Sequence, residues 1–255
     1  MFMKLVELKK VKKIFYSEIG KIEAIKDLNF ELNKGEIIGI VGPSGSGKST
    51  ILNLISSLIE PTSGKVLVNG SVGYMFQKDH LLEWRNVLDN ILIGLEIKKQ
   101  KTDDNVKRVL ELINKYGLGE FINNFPSELS GGMRQRISLI RTLAINPDIL
   151  LLDEAFSALD YQTRLAVCDD VYKIIKDQQI SAILVTHDIS EAISMCDKVL
   201  VLSNRPSSVK AIFDLKNVFG DSLTPLNIRK HPQFSQYFDS IWQSLGDTFN
   251  ERNNK

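Results

Sequence analysis

The stretch from Glu36 to Ile55 constrains the fold of this chain more than any other. An apolar run of strand length, Glu36-Ile37-Ile38-Gly39-Ile40-Val41, leads into Gly42-Pro43-Ser44-Gly45-Ser46-Gly47-Lys48-Ser49-Thr50. That loop fits G-x-x-x-x-G-K-[ST]. Beyond it, Ser49 to Ile55 predicts a helix with an apolar stripe at Ile51, Leu54 and Ile55. Strand, glycine loop and helix together make a cradle for phosphates. The glycines let backbone N–H groups turn inward, and the helix start adds partial positive charge. Lys48 can then reach the outer phosphates and Ser49 can ligate Mg²⁺. A nucleoside triphosphate is implied, but not the use to which its energy is put.

Bulk composition narrows the rest. At 255 residues, 43% of them hydrophobic, the chain can bury one large core or two small ones. Lys and Arg number 32 against 31 Asp and Glu, which leaves no basic field to attract nucleic acid. Cys168 and Cys196 lie in apolar, helix-like patterns and read as buried free thiols of a reducing compartment. The start, Met1-Phe2-Met3-Lys4-Leu5-Val6, has no basic segment followed by a long apolar one, so no signal peptide is expected. No apolar run approaches the ~20 residues of a spanning helix. The expectation is a soluble, cytoplasmic protein that can dock on a membrane partner.

Residues 3–16 and 23–32 alternate as strands, and the turn Asn33-Lys34-Gly35 delivers the chain into the loop strand. Phe15 and Tyr16 close the first strand, either as packing or as a platform for adenine, and the spacing favours Phe15. Lys65–Val68 and Val72–Phe76 predict two short strands joined by a hairpin turn at Asn69-Gly70, with Gln77 directly after. Residues 84–123 turn helical, and Val106, Val109, Leu110 and Ile113 share one face stopped by Gly117. This block interrupts the alternation of strands and helices and reads as an insertion or subdomain.

Leu129-Ser130-Gly131-Gly132-Met133-Arg134-Gln135-Arg136 then opens a helix that Asn146-Pro147 ends. Ser130 suits an N-cap. Arg134 and Arg136 sit where the helix dipole disfavours cations, so carboxylates or a bound anion must compensate. Two glycines at a helix start cost propensity; close approach to a phosphate would account for Gly131 and Gly132. Ile149-Leu150-Leu151-Leu152 predicts a central parallel strand buried on both faces, and Asp153-Glu154 fall at its C-terminal end, where ligands bind in open α/β sheets. There Asp153 is placed to hold Mg²⁺ and Glu154 to orient and activate water. Ala158-Leu159-Asp160 turns the chain into a further helix. Ala182–Thr186 predicts another buried strand, ending at His187, followed by a helix with a capping box of Asp188 and Glu191. His80 and His231 lack such a setting and read as surface residues. Residues 198–202 and 209–213 predict the last strands. Phe234, Phe238, Ile241, Trp242 and Leu245 share a helical face, and residues 247–255 read as a disordered polar tail.

The order of phosphate loop, Gln77, Leu-Ser-Gly-Gly-Met-Arg-Gln-Arg, Asp153-Glu154 and His187 resembles the ATP-binding subunits of ABC transporters, over roughly residues 4–245. The resemblance implies ATP and Mg²⁺ as ligands. It makes Phe15 or Tyr16 the adenine-stacking aromatic, and Gln77 the glutamine that senses Mg²⁺ and the γ-phosphate beside the permease. Residues 129–133 become the signature, which closes over the γ-phosphate of the opposite subunit. Ser157-Ala158-Leu159-Asp160 becomes the D-loop and His187 the switch histidine. Lys78–Arg85 with Gly94-Leu95-Glu96, and Ser203-Asn204-Arg205-Pro206, look like the nitrate/sulfonate/taurine importer branch. That branch implies separate permease subunits, an extracytoplasmic binding protein, an ATP-dependent homodimer and a place on the cytoplasmic face of the membrane. Similar ATPases serve thiamine precursors. Trp84 reads equally as core or as a permease-docking residue.

Other classes fit less well. DNA-maintenance ATPases of this type carry long coiled-coil insertions, and 84–123 is short and without heptads. A small-molecule kinase leaves the signature unexplained, a translation-factor ATPase needs two cassettes, and exporters often carry fused spanning helices. The expected fold is α/β: a RecA-like P-loop core with a parallel sheet, an N-terminal antiparallel β portion and a helical signature subdomain. The chain is expected to be a single ATPase domain over 1–255, its helical subdomain at about 84–145 and a C-terminal helix and tail at about 225–255.

Overall fold

The structure is a computed structural model and describes residues 3–18, 20–220 and 223–253. The chain begins with two long strands, β1 (Lys4–Ser17) and β2 (Gly20–Asn33). The loop strand β3 (Ile37–Val41) and helix α1 (Lys48–Ile55) follow, then β4 (Ser63–Val68) and β5 (Val72–Met75). Three helices come next, α2 (Val87–Ile97), α3 (Asp103–Lys115) and α4 (Gly131–Ala144). Alternation then resumes with β6 (Ile149–Asp153), α5 (Tyr161–Asp177), β7 (Ser181–Val185), α6 (Ile189–Met195) and β8 (Lys198–Leu202). Strand β9 (Val209–Asp214), short helices α7 (Lys216–Phe219) and α8 (Pro225–Ile228), and the long α9 (Phe234–Asn253) complete the chain.

The strands form two sheets, ordered β2-β1-β4 and β5-β6-β7-β3-β8-β9. The first is antiparallel. The second is parallel except for β9. Alternation along β3 divides the core. Ile38 and Ile40 pack with α1 and the three-stranded sheet. Ile37 and Val41 face the other way, into a cluster covered by α5, α6 and α9. Gly39 lies on that second side, where a Cβ would stand 3.0 Å from the Cys196 sulfur, so glycine lets α6 approach β3 closely. Both cysteines are buried free thiols. A third apolar cluster joins α2, α3 and α4 and includes Ile91, Val109, Ile113 and Ile137. Among the described residues no helix is long and apolar enough to cross a membrane.

Several expectations are corrected. Strands β4 and β5 form no hairpin: β4 pairs with β1, and β5 pairs in parallel with β6. Asn69-Gly70 instead carries the chain from one sheet to the other. Asn69 donates its N–H to the Leu5 carbonyl, and Ser71 N–H is held by Asp148 Oδ2 at 2.7 Å. Gly70 has φ +140° and a Cβ there would lie 2.8 Å from Asp148 Cβ, so the glycine answers to tertiary contact rather than to a two-residue turn. On α9, Phe234, Phe238 and Leu245 pack against the core around the fully buried Ile241. Trp242, one helical step round, is 60% exposed and stacks on Phe238 from outside. Helix α9 also continues through residue 253 where a disordered tail is expected; residues 254 and 255 lie outside the described residues. His231 packs edge-on against the buried Phe219 rather than standing free.

Candidate nucleotide site

A cleft of about 670 Å³ opens at the C-terminal ends of β3, β6 and β7, within the size range of small-molecule sites. Its floor is the phosphate loop: Gly42, Ser44, Gly45, Gly47, Lys48, Ser49 and Thr50. Gly45 and Gly47 hold φ of +76° and +87°, a backbone that glycine adopts without strain. A Cβ on Gly42 would fall 2.8 Å from the Ser46 hydroxyl, which is itself buried without a hydrogen-bond partner among the described residues. Pro43 is buried below the loop and offers its carbonyl to Lys48.

The five helices from α2 to α6 have starts closed by side chains, while the short α7 and α8 do not. Asn86, Thr102, Ser130, Asp160 and Asp188 cap α2 to α6 in turn, whereas α1, opening at Gly47, has no side-chain cap. Its first N–H groups are left for an anion. Lys48 Nζ rests on the carbonyls of Gly42 and Pro43 at 2.9 and 3.1 Å, and burial lowers its pKa against the pull of Glu154 and Asp153.

Two carboxylates close β6. Asp153 receives the Ser49 hydroxyl on Oδ1 at 3.1 Å, and burial raises its pKa. Glu154 adopts φ +47°, a left-handed conformation that costs a non-glycine residue on the order of 1–3 kcal/mol. Its N–H donates to the Val185 carbonyl at 2.8 Å, and its side chain lines the cleft. His187 Nδ1 lies 3.4 Å from Glu154 Oε2, and the Gln77 amide reaches Glu154 at 3.5 Å and the Ser157 hydroxyl at 3.2 Å.

Phe15 and His187 line the cleft; Tyr16, 74% exposed, does not. Lys13 Nζ sits 5.0 Å above the Phe15 ring. Ile22, Ala24 and Arg205 complete the lining and were missed in the sequence. Ile22 pairs across the β1–β2 ladder with Phe15, so the register would have found it. Arg205 stands in the loop after β8, beyond the end of a strand that adjoins β3. Ser130, Gly131, Gly132 and Asp160 lie outside the lining. Ser130 and Asp160 cap their helices through Met133 and Thr163 N–H, and Gly131 is exposed. Gly132 is buried where a Cβ would approach Thr163 to 2.9 Å, so helix packing already accounts for one of the two glycines.

Carboxylates answer the misplaced cations of α4. Arg134 pairs with Asp79 at 2.8 Å and Glu83 at 3.3 Å, and Arg136 pairs with Asp170 at 2.7 Å. The Gln77–Arg85 segment is thereby tied to α4. Trp84, on that segment, is 75% exposed and so no part of the core.

Behind His187, the expected capping box takes another form. Asp188 caps Glu191 N–H, but the Glu191 carboxylate accepts from Thr186 Oγ1 at 2.6 Å, and that oxygen accepts from Asp188 N–H at 3.0 Å. Burial pushes the Glu191 pKa up to about 7. The folded state then holds this proton over a range where the unfolded chain has lost it, between about 4.5 and 7. The associated stability is complete below pH 4.5, declines as pH rises through 7, and amounts to on the order of 3 kcal/mol. Glu191→Gln should flatten the pH dependence of thermal unfolding between pH 5 and 8; an unchanged slope would contradict it.

A parallel sheet carrying a glycine phosphate loop at one strand end and a carboxylate pair at a neighbouring one defines a P-loop nucleotide-binding protein. The comparisons with known proteins narrow this. The family model described as ABC transporter matches residues 25–157. The ABC transporter ATP-binding protein YtlC of Bacillus subtilis is 41% identical over 94% of this chain and 95% of its own. The nitrate import ATP-binding protein of Synechocystis is 36% identical (92% and 93%), and the taurine import ATP-binding protein of Rhizobium johnstonii 38% (92% and 94%). Among solved structures, a dimeric ATP-binding cassette with ADP and Pi, in a post-hydrolysis state, superposes with a TM-score of 0.71 at 31% identity, covering 82% of this chain and 98% of that one. The chain belongs to the ABC transporter family, as one of its ATP-binding, ATP-hydrolysing proteins.

Proposed function

We propose that this chain is the subunit whose ATP hydrolysis powers import of a small anion, of the nitrate, sulfonate or taurine type, through separate membrane permease subunits at the cytoplasmic face of the membrane. We take residues 1–255 as one ATPase domain, with the helices of about 84–145 as its signature-bearing part. The observation that carries the nucleotide reading is the uncapped start of α1 facing a cleft that also holds Lys48, Glu154 and His187. The import reading draws on the names of relatives aligned over almost the whole chain. An extracytoplasmic binding protein would deliver the solute.

In this reading the backbone from Gly42 to Thr50 and the ammonium of Lys48 hold the phosphates, and Phe15 lies against the adenine. Ser49 and Asp153, whose oxygens meet at 3.1 Å beside the cleft, would hold Mg²⁺, with Gln77 near. They suit it, because Mg²⁺ bound with a nucleotide takes one or two protein oxygens and draws the rest from phosphate and water. Bound there, the ion would neutralise charge on the phosphates. Glu154 takes a proton from the water that attacks the γ-phosphorus; the bond to the bridging oxygen breaks and ADP leaves. His187, 3.4 Å from Glu154, fixes that carboxylate and faces the same cleft. Ser130, Gly131, Gly132 and Asp160 would act across a pair of chains, on the partner's nucleotide.

Gln77 and Trp84 lie at the two ends of the segment clamped to α4, and Trp84 presents a bare indole, a side chain enriched at the centre of binding interfaces. Trp84→Ala should therefore cut solute uptake in cells by about tenfold or more, while the ATPase rate of the isolated chain stays within about twofold. Uptake is read with labelled taurine, sulfonate or nitrate. Equal losses in both assays would assign Trp84 to folding or catalysis instead and remove the support for a docking face.

A further inference from the structure

Tyr74 stands opposite Leu151 in the parallel pairing of β5 with β6, so it shares a face with Leu151 and Asp153. Its hydroxyl lies 3.1 Å from Asp153 Oδ2 and 3.2 Å from Asn53 Oδ1. The other oxygen of that carboxylate, Oδ1, is the one that faces the Ser49 hydroxyl. Ser49 and Asn53 are one turn apart on α1, so these contacts tie α1 to β5 and β6. A phenol has one proton to give, and a carboxylate is a stronger acceptor than an amide, so the proton goes to Asp153. The ring of Tyr74 is stacked on Phe76, centroids 4.3 Å apart, which fixes the direction of the hydroxyl.

We propose that Tyr74 is a positioning residue for the metal–nucleotide complex. By holding Oδ2 it turns Oδ1 of Asp153 toward Ser49, so that both oxygens meet Mg²⁺ already oriented. It touches neither the nucleotide nor the reacting atoms and acts only through Asp153. The inference rests on the nucleotide reading above.

Tyr74→Phe keeps the ring and its stack on Phe76 and deletes a single oxygen. The test measures binding of a fluorescent ATP analogue in EDTA and then across a Mg²⁺ titration, together with thermal unfolding, and runs Lys48→Ala alongside. The expected result is affinity in EDTA within about twofold of the parent and a Mg²⁺ midpoint raised about tenfold to a hundredfold, the worth of one hydrogen bond to a charged group. A purely structural tyrosine would lower the melting temperature and leave the Mg²⁺ midpoint in place. That outcome, with Lys48→Ala deficient in binding, overturns this inference and leaves the nucleotide reading standing. Normal binding by Lys48→Ala overturns both.

Discussion

Glu154→Gln should slow ATP hydrolysis by a factor of ~10²–10⁴, the usual worth of a positioned general base, and leave ATP affinity within a few-fold of the parent. The substitution keeps the size of the side chain and one acceptor oxygen for Gln77, and removes the charge and with it the capacity to take a proton. The local geometry isolates that role. Glu154 lines the cleft, with His187 and Gln77 as its side-chain neighbours at 3.4 and 3.5 Å, while the contact to the Ser49 hydroxyl belongs to Asp153. The backbone at Glu154 is left-handed in the parent and remains so in the variant, so fold stability should change little. Asp153→Asn should behave differently, raising the Mg²⁺ needed for half-maximal rate. Phosphate release and nucleotide binding, measured on both, check the assignment; exchanged phenotypes would reverse the two roles.

Lys48→Ala should weaken ATP binding at least about tenfold to a hundredfold, the range for loss of a charge-assisted contact to phosphate. The ammonium is largely buried and leans on two loop carbonyls, held where a β- or γ-phosphate would lie. Burial has already lowered its pKa, so a bound polyphosphate gains an incompletely solvated cation. Alanine leaves the glycines and the open start of α1 untouched, and residual weak binding should persist through them. Calorimetric titration with ATP reads the change; affinity close to that of the parent would show that the loop does not hold the triphosphate.

What could be read in the sequence was local. Ile37–Val41 and Ile149–Leu152 are short apolar runs on both faces, the pattern of a strand buried in a parallel sheet; the loop after Val41 carries its spacing in eight consecutive residues, from Gly42 to Ser49. Contacts distant in sequence were out of reach. Asn69-Gly70 has the local chemistry of a hairpin turn, yet pairing of β4 with β1 and of β5 with β6 overrode it. The charges of Arg134 and Arg136 announced a need for counter-charge but not its source, since Asp79, Glu83 and Asp170 come from other elements. Arg205 and Tyr74 reach the site only by tertiary convergence. Trp242 was misplaced for a smaller reason: one step of 100° along α9 separates it from the buried Ile241.

We propose that each ATP is held between two copies of this chain, the phosphate loop of one and the Ser130-Gly131-Gly132 segment of the other. Ser130 caps a long helix whose start is exposed, outside the cleft of its own chain. Two such chains meeting by an isologous contact would make two composite sites, with ATP as part of the interface. Light scattering on a sizing column, with nucleotide measured in the peaks, tests this directly on Glu154→Gln and on Glu154→Gln combined with Ser130→Arg. The first should elute with ATP at twice the 28.8 kDa of one chain and without ATP at that mass. The second should bind ATP and remain a monomer, because the arginine blocks approach to the partner's γ-phosphate. An ATP-loaded Glu154→Gln that stays monomeric, or a Ser130→Arg combination that pairs as readily, would contradict the claim.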